Sequence, residues 1–215
     1  TAVSGIQKAM KHVSNINVYG FAIFLIFLLV FSNASFLFNL STEALGGFAG
    51  TFIERILITG ESVGTQWPQW WTTFYWFSWM AWAPTSGAFM GQIAYGRKVK
   101  HVLGLYVGLC ASVSAIWMVL VSGTSLWVQT SGLFDLVASY DRGVENVPYD
   151  MLGALPLGNL IIPLFVVLIF LSTITACNSN CIAMAGISTQ GINPDSPDSP
   201  MWLKLVWCVV PMAVG

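Results

Sequence analysis

Four long apolar runs, at 18–40, 70–94, 102–128 and 155–186, and a fifth over 202–215, leave this chain few folds to choose from. A bilayer core of about 30 Å is crossed by a helix of about 20 apolar residues. In hydrocarbon the backbone must satisfy its own hydrogen bonds, which favours helices. The chain is 56% hydrophobic and only 8% charged, with a mean hydropathy of +0.73. A soluble domain carries roughly a quarter charged residues. The expected class is an all-α integral membrane protein, with one transmembrane domain over 1–215. A net charge of -1 gives no electrostatic footprint for nucleic acid. The run at 155–186 exceeds what one crossing needs, so it tilts, kinks or extends beyond the bilayer, and Pro156 and Pro163 place a kink near its start.

Charge placement predicts an orientation. Lys8, Lys11, Arg97, Lys98, Lys100 and Lys204 fall in the N-terminal flank and the connections at 95–101 and 187–204, which share a side if the runs alternate. The opposite side holds Arg55 and Arg142, with Glu43, Glu54, Glu61, Asp135, Asp141, Glu145 and Asp150. The positive-inside bias puts the N-terminal end in the cytoplasm and the chain in a cell (plasma) membrane as a multi-pass protein. This assignment leaves no charge inside a run, which argues against an intramembrane proton relay or voltage sensor. The first residues, TAVSGIQKAMKH, lack a signal-peptide layout, and the sequence stops at Gly215 inside an apolar run. It reads as a stretch of a longer chain.

The outer connections are long. Leu45, Phe48, Phe52, Ile53 and Ile56 recur at helical spacing, with Thr51, Glu54 and Arg55 towards the other face. This is either a short amphipathic helix on the outer surface or a loop covering helix ends. Leu133, Phe134, Leu136 and Val137 give a weaker version of the same pattern, and the inner stretch INPDSPDSP is rich in turn residues. Gly87 with Gly91, and Gly104 with Gly108, are spaced for close helix packing. Cys110, Cys177, Cys181 and Cys208 all lie in apolar segments, where buried, inert thiols are the expectation; the i, i+4 spacing of Cys177 and Cys181 alone keeps a metal or redox pair as the alternative.

Two groups of residues carry possible chemistry. The run WTTFYWFSWMAWAP, from Trp71 to Pro84, places Trp76, Trp79 and Trp82 three residues apart. Trp67, Trp70 and Trp71 suit an interfacial aromatic belt. Trp79 lies about 12 Å further in at 1.5 Å per residue, too deep for a belt. Tyr75, Trp79, Trp82 and Ser86 form one helical stripe, flanked by Trp76. A quaternary ammonium group has no N–H to donate, so π faces are its natural partner, at about 2 kcal/mol per desolvated contact. The stripe is either such a cation cage or a packing or lipid-facing surface. Pro84 and Gly87 follow as helix breakers. In the fourth run, Ser172, Thr173, Thr175, Asn178, Ser179 and Asn180 either ligate an ion such as sodium or bond neighbouring helices.

WTTFYWFSWMAWAP followed by GQIAYGRKV closely resembles the signature of the betaine/choline/carnitine transporter family. SGIQKAMKHVSNIN before the first run, WPQWW ahead of the second and TACNSN late in the fourth extend the resemblance over essentially the whole chain. It implies a helical bundle of the leucine-transporter type with two inverted repeats, of which this sequence is similar to spans seven to the start of eleven. The glycine-rich broken helix and the other half of the aromatic box would lie in the part not present. By position, Trp79 matches the second member of the family's tryptophan pair, Trp82 the third aromatic and Trp76 an earlier tryptophan. Ser78 stands where the first member of the pair is usual, which opens one wall of the cage, and Thr85 where a Phe commonly follows the Pro. The hydroxyl pair that binds sodium in coupled members corresponds to Thr175 and Ala176, so one ligand is lost; Ser179 and Asn178 are about a turn away.

The resemblance implies a secondary transporter of a small quaternary ammonium solute, working by alternating access as an ion-coupled symporter or an exchanger. Trp79, Trp82, Trp76 and Tyr75 are the candidate substrate-binding residues, and Thr175 and Ser179 the candidate ion ligands. No cofactor is expected beyond sodium as a coupling ion, and family members often form homotrimers. The rival is a membrane receptor or osmosensor that binds such a ligand without moving it. An enzyme is disfavoured by the lack of an HExxH pair and of an intramembrane Asp or His.

Overall fold

The computed structural model describes residues 6–94, 96–190 and 199–214; most of the turn-rich INPDSPDSP stretch lies outside these. Its long elements are helices: α1 (Ile6–Phe31), α2 (Ala34–Leu57), α3 (Trp67–Ala94), α4 (Val99–Leu103), α5 (Cys110–Thr130), α6 (Leu136–Arg142), α7 (Val147–Gly153), α8 (Gly158–Ile187) and α9 (Met201–Val214). Among the described residues, three helical stretches are long and apolar enough to cross a membrane: Lys11–Phe31, Val99–Thr130 and Gly158–Ile187. The second is continuous through a π-helical segment at Gly104–Leu109 between α4 and α5.

The apolar run at 18–40 is not one helix. α1 ends at Phe31, and Asn33 starts α2 by accepting the Phe36 amide on Oδ1 at 3.0 Å. That cap satisfies one of the orphan donors of the new helix's first turn. α2 then runs 24 residues, carrying the whole amphipathic pattern predicted for the first outer connection. Leu45, Phe48, Ile53 and Ile56 are all exposed on it.

The chain forms two compact units. One comprises Lys11–Ala49 and Leu103–Thr173. Its core gathers Phe24 and Leu28 of α1, Val128 of α5, Leu136 of α6, Met151 and Leu152 of α7, and Ile161, Phe165 and Leu168 of α8. Phe24 stacks on Phe165, with centroids 5.0 Å apart and planes 21° from parallel. Phe21 meets Trp117 edge-on at 5.3 Å.

Two glycines permit close helix approach here. A Cβ on Gly20 would collide with Leu168 Cδ2, and one on Gly123 would lie 2.6 Å from Leu37 Cδ2. At Gly87, Gly91, Gly104 and Gly108, the spaced pairs, a Cβ would meet nothing within 4 Å among the described residues. Spacing alone marks where a helix is thin; only the fold decides whether a neighbour uses it.

The connection between α5 and α8 is folded onto this core. Asp135 caps α6, its Oδ1 accepting the amides of Val137 and Ala138 at 3.1 and 3.2 Å. Asp150 of α7 accepts from Ser139 Oγ at 2.6 Å and pairs with Arg142 at 2.7 Å. Ser139 is fully buried, so its hydroxyl needs that acceptor. The weak apolar pattern at Leu133–Val137 thus encodes a short helix that buries Leu136.

The other unit comprises Gly50–Val102 and the chain from Ile174 onward, with the described N-terminal residues up to Met10. In it α8 and α9 are joined by Cys181 Sγ donating to the Trp207 carbonyl at 3.2 Å and Trp207 Nε1 donating to Ser188 Oγ at 3.1 Å. Lys204 corrects the expectation that charge stays off the runs: it lies on the first turn of α9 with its side chain buried. Of the cysteines, Cys181 is buried, Cys208 half-buried, and Cys110 and Cys177 exposed, which corrects the expectation of uniform burial.

Candidate functional site

α3 is 28 residues long, about 42 Å at 1.5 Å per residue, and its midpoint falls between Met80 and Ala81. Trp79 and Trp82 flank that midpoint. Pro84 and Gly87 do not end the helix, which continues to Ala94. Pro84 has no N–H to give, so the Met80 carbonyl loses its ordinary intrahelical donor at mid-helix.

A groove of about 290 Å³ follows this helix, lined by Phe74, Tyr75, Ser78, Trp79 and Trp82. It brings Tyr75, Trp79 and Trp82 together, includes Ser78, which the resemblance placed at one wall of the cage, and adds Phe74, which sequence reasoning had not placed in the pocket. Ser78 is the small floor between larger rings; its position follows from helical phase, three residues after Tyr75 and four before Trp82. Trp76 is not among the lining residues. At 100° per residue it is turned about 100° from Tyr75, off the groove. Trp79 is 66% exposed and Tyr75 54%, so this face is one wall and not a closed box.

Ring contacts stiffen the N-terminal part of α3 that leads into the wall. Tyr75 is 5.6 Å from Trp71 and 5.8 Å from Phe74, and Trp71 is 5.7 Å from Trp67. Such pairs contribute about 0.5–1.5 kcal/mol beyond area burial.

The candidate ion ligands lie apart from the groove lining, one turn from each other on α8. Ser179 Oγ donates to the Thr175 carbonyl at 2.9 Å. Thr173 does likewise to Ile169 at 3.0 Å. Back-bonding of this kind uses the hydroxyl proton and leaves the oxygen's lone pairs available to a cation. Ser172 instead accepts from Asn17 Nδ2 at 2.7 Å, an interhelical bond between α8 and α1. The polar cluster therefore divides between helix–helix bonding at Ser172 and self-satisfied hydroxyls at Thr173 and Ser179.

Comparison with known proteins gives two findings. The family model described as BCCT, betaine/carnitine/choline family transporter, matches residues 1–215. The osmo-independent choline transporter BetT1 of Acinetobacter baylyi is 27% identical over 222 residues, an alignment covering 97% of this chain and 40% of that protein. The chain therefore spans about two fifths of the length of this curated relative.

Proposed function

Because this chain belongs to the betaine/carnitine/choline family of transporters, we infer that the full-length protein carries a small quaternary ammonium solute across a membrane by alternating access. The observation that carries this reading is the mid-helix groove of Tyr75, Ser78, Trp79 and Trp82. An aromatic wall at that depth offers a cation that cannot donate hydrogen bonds the ring faces it needs. Trp79 holds the ammonium group, with Tyr75 and Trp82 beside it. The exposed faces of these rings await the rest of the box, in keeping with a site shared with the remainder of a longer protein. The N-terminal end lies on the cytoplasmic side, where the basic connections gather.

Uptake of labelled choline, glycine betaine and carnitine by the full-length protein in vesicles tests this. Saturable accumulation of at least one supports transport. Saturable binding with no accumulation would instead establish a receptor.

Thr175 is the proposed sodium ligand. With its partner position occupied by Ala176, the site has one hydroxyl fewer than coupled members of the family. If uptake depends on sodium, Thr175→Ala should raise the half-saturating sodium concentration about tenfold, comparable to loss of one bond to a charged group. Thr175→Ser, which keeps the oxygen, should shift it less than threefold. Sodium-independent uptake unchanged in Thr175→Ala would assign the protein to exchange.

A further inference from the structure

Cys181 of α8 spends its thiol proton on α9. Its Sγ donates to the Trp207 carbonyl at 3.2 Å. That carbonyl loses its ordinary intrahelical donor, because the residue four further along α9 is Pro211, which has no N–H. The thiol therefore fills a gap that the α9 sequence itself opens. Trp207 in turn donates through Nε1 to Ser188 Oγ at 3.1 Å, so two side-chain bonds hold the C-terminal part of α8 to α9.

The same bonds bring a second thiol to the first. Cys208 follows Trp207 in the chain, and standard backbone dimensions put its Cα within about 6 Å of Cys181 Sγ. The side chains of Cys181 and Cys208 interact, and more strongly than Cys181 does with Cys177. Sequence spacing pairs Cys181 with Cys177, but those two stand i, i+4 on one helix, where Cβ atoms are about 5–6 Å apart. A disulfide needs its Cβ atoms about 3.5–4.5 Å apart. A partner on a facing helix is free of that fixed spacing. Cys181 is buried and Cys208 half-buried, so a small oxidant meets Cys208 first.

We propose that Cys181 and Cys208 are a redox-modification site, which a peroxide closes into a disulfide fixing α8 to α9. Hydrogen peroxide transfers one oxygen to the Cys208 sulfur, giving a sulfenic acid and releasing water. The Cys181 sulfur then attacks the Cys208 sulfur. The S–S bond forms, the S–O bond breaks, and the Cys181 proton leaves with the departing hydroxide as water. Two electrons have passed from the sulfurs to the O–O bond. The link deprives the Trp207 carbonyl of its thiol donor, which makes it labile to a dithiol reductant, unlike a structural disulfide. α8 also carries Thr175, and alternating access moves spans against one another, so the link slows transport. That consequence rests on the transport reading above; the thiol chemistry does not. Thiols that serve packing alone predict no link.

The test exposes the purified full-length protein to hydrogen peroxide and maps its linked peptides by mass spectrometry without reduction. The expected product is a Cys181–Cys208 link, lighter than the two peptides by two hydrogen atoms, that dithiothreitol removes. Cys208→Ser should abolish it and Cys177→Ser should leave it intact. Cys181→Ser keeps a hydroxyl to donate to the Trp207 carbonyl, so the thermal midpoint should hold while Cys208, lacking its partner, oxidises on to the sulfinic acid. In vesicles, peroxide should remove most uptake of labelled choline, glycine betaine or carnitine, dithiothreitol should restore it, and Cys208→Ser should be resistant. Sulfinic acid at Cys208 of the wild type without a link, both thiols left unoxidised, or Cys177 linked in place of Cys181, overturns the site. A link that leaves uptake unchanged overturns its control over transport. A protein that forms the link yet takes up none of the three solutes before peroxide removes the transport reading and leaves the thiol site standing.

Discussion

Trp79→Ala in the full-length protein is expected to raise the half-saturating solute concentration for uptake about 30-fold, the equivalent of one desolvated cation–π contact of about 2 kcal/mol. The effect belongs to Trp79 because it lines the groove near the middle of a 28-residue helix. Trp79→Phe keeps a π face and should recover most of the loss. Trp76→Ala provides the geometric control: Trp76 lies on the same turn but is turned off the groove, so its substitution should cost less than threefold. Uptake kinetics in vesicles, with surface expression measured alongside, read all three. Equal losses for Trp76→Ala and Trp79→Ala would show that helical phase is not what selects the site.

That contrast marks where sequence reasoning stops. The residues of α3 declare a helix and a depth, and the family signature attaches to them. Periodicity also grouped Tyr75, Trp79 and Trp82, because helical phase is a local property. It did not give Ser78 a place in the pocket, although the same phase puts it there and the resemblance set it at one wall of the cage; a small residue carries no periodic signal of its own until the rings around it are seen. The end of α1 at Phe31 was hidden for a related reason. Ser32 and Asn33 barely change the average hydropathy of the run at 18–40, yet one side-chain bond from Asn33 starts a new helix. A cap signal was present in the residues and was outweighed by composition. Close approach was the least legible feature. Gly20 and Gly123 do that work singly, and the fit depends on Leu168 and Leu37, which are far away in sequence. Lys204 shows the same limit for charge: sequence put it in a connection, and tertiary packing buried it on α9.

The second large effect is expected at Phe24, and it should be opposite in kind to that at Trp79. Phe24 is fully buried, stacked on Phe165 at 5.0 Å and inclined to Trp117 at 6.0 Å. In a water-soluble core, Phe→Ala costs about 3–5 kcal/mol, part transfer from water and part cavity. In a membrane the transfer part shrinks, because lipid tails are as apolar as the core. The cavity part remains, since the lost ring contacts are dispersion contacts that no lipid tail can replace in a closed interior. Phe24→Ala should therefore cost about 2–3 kcal/mol, lowering the thermal midpoint of the purified protein by several degrees. Phe24→Leu should lose less than half of that, because most of the volume stays filled. Trp79→Ala, with a ring 66% exposed, should leave the midpoint within a degree or two while removing affinity. Solute affinity of the Phe24 variants, measured well below their midpoints, should stay near that of the wild type. A midpoint unmoved by Phe24→Ala would mean that the stack on Phe165 does not hold α1 against α8, and the packing assigned to this unit would be wrong.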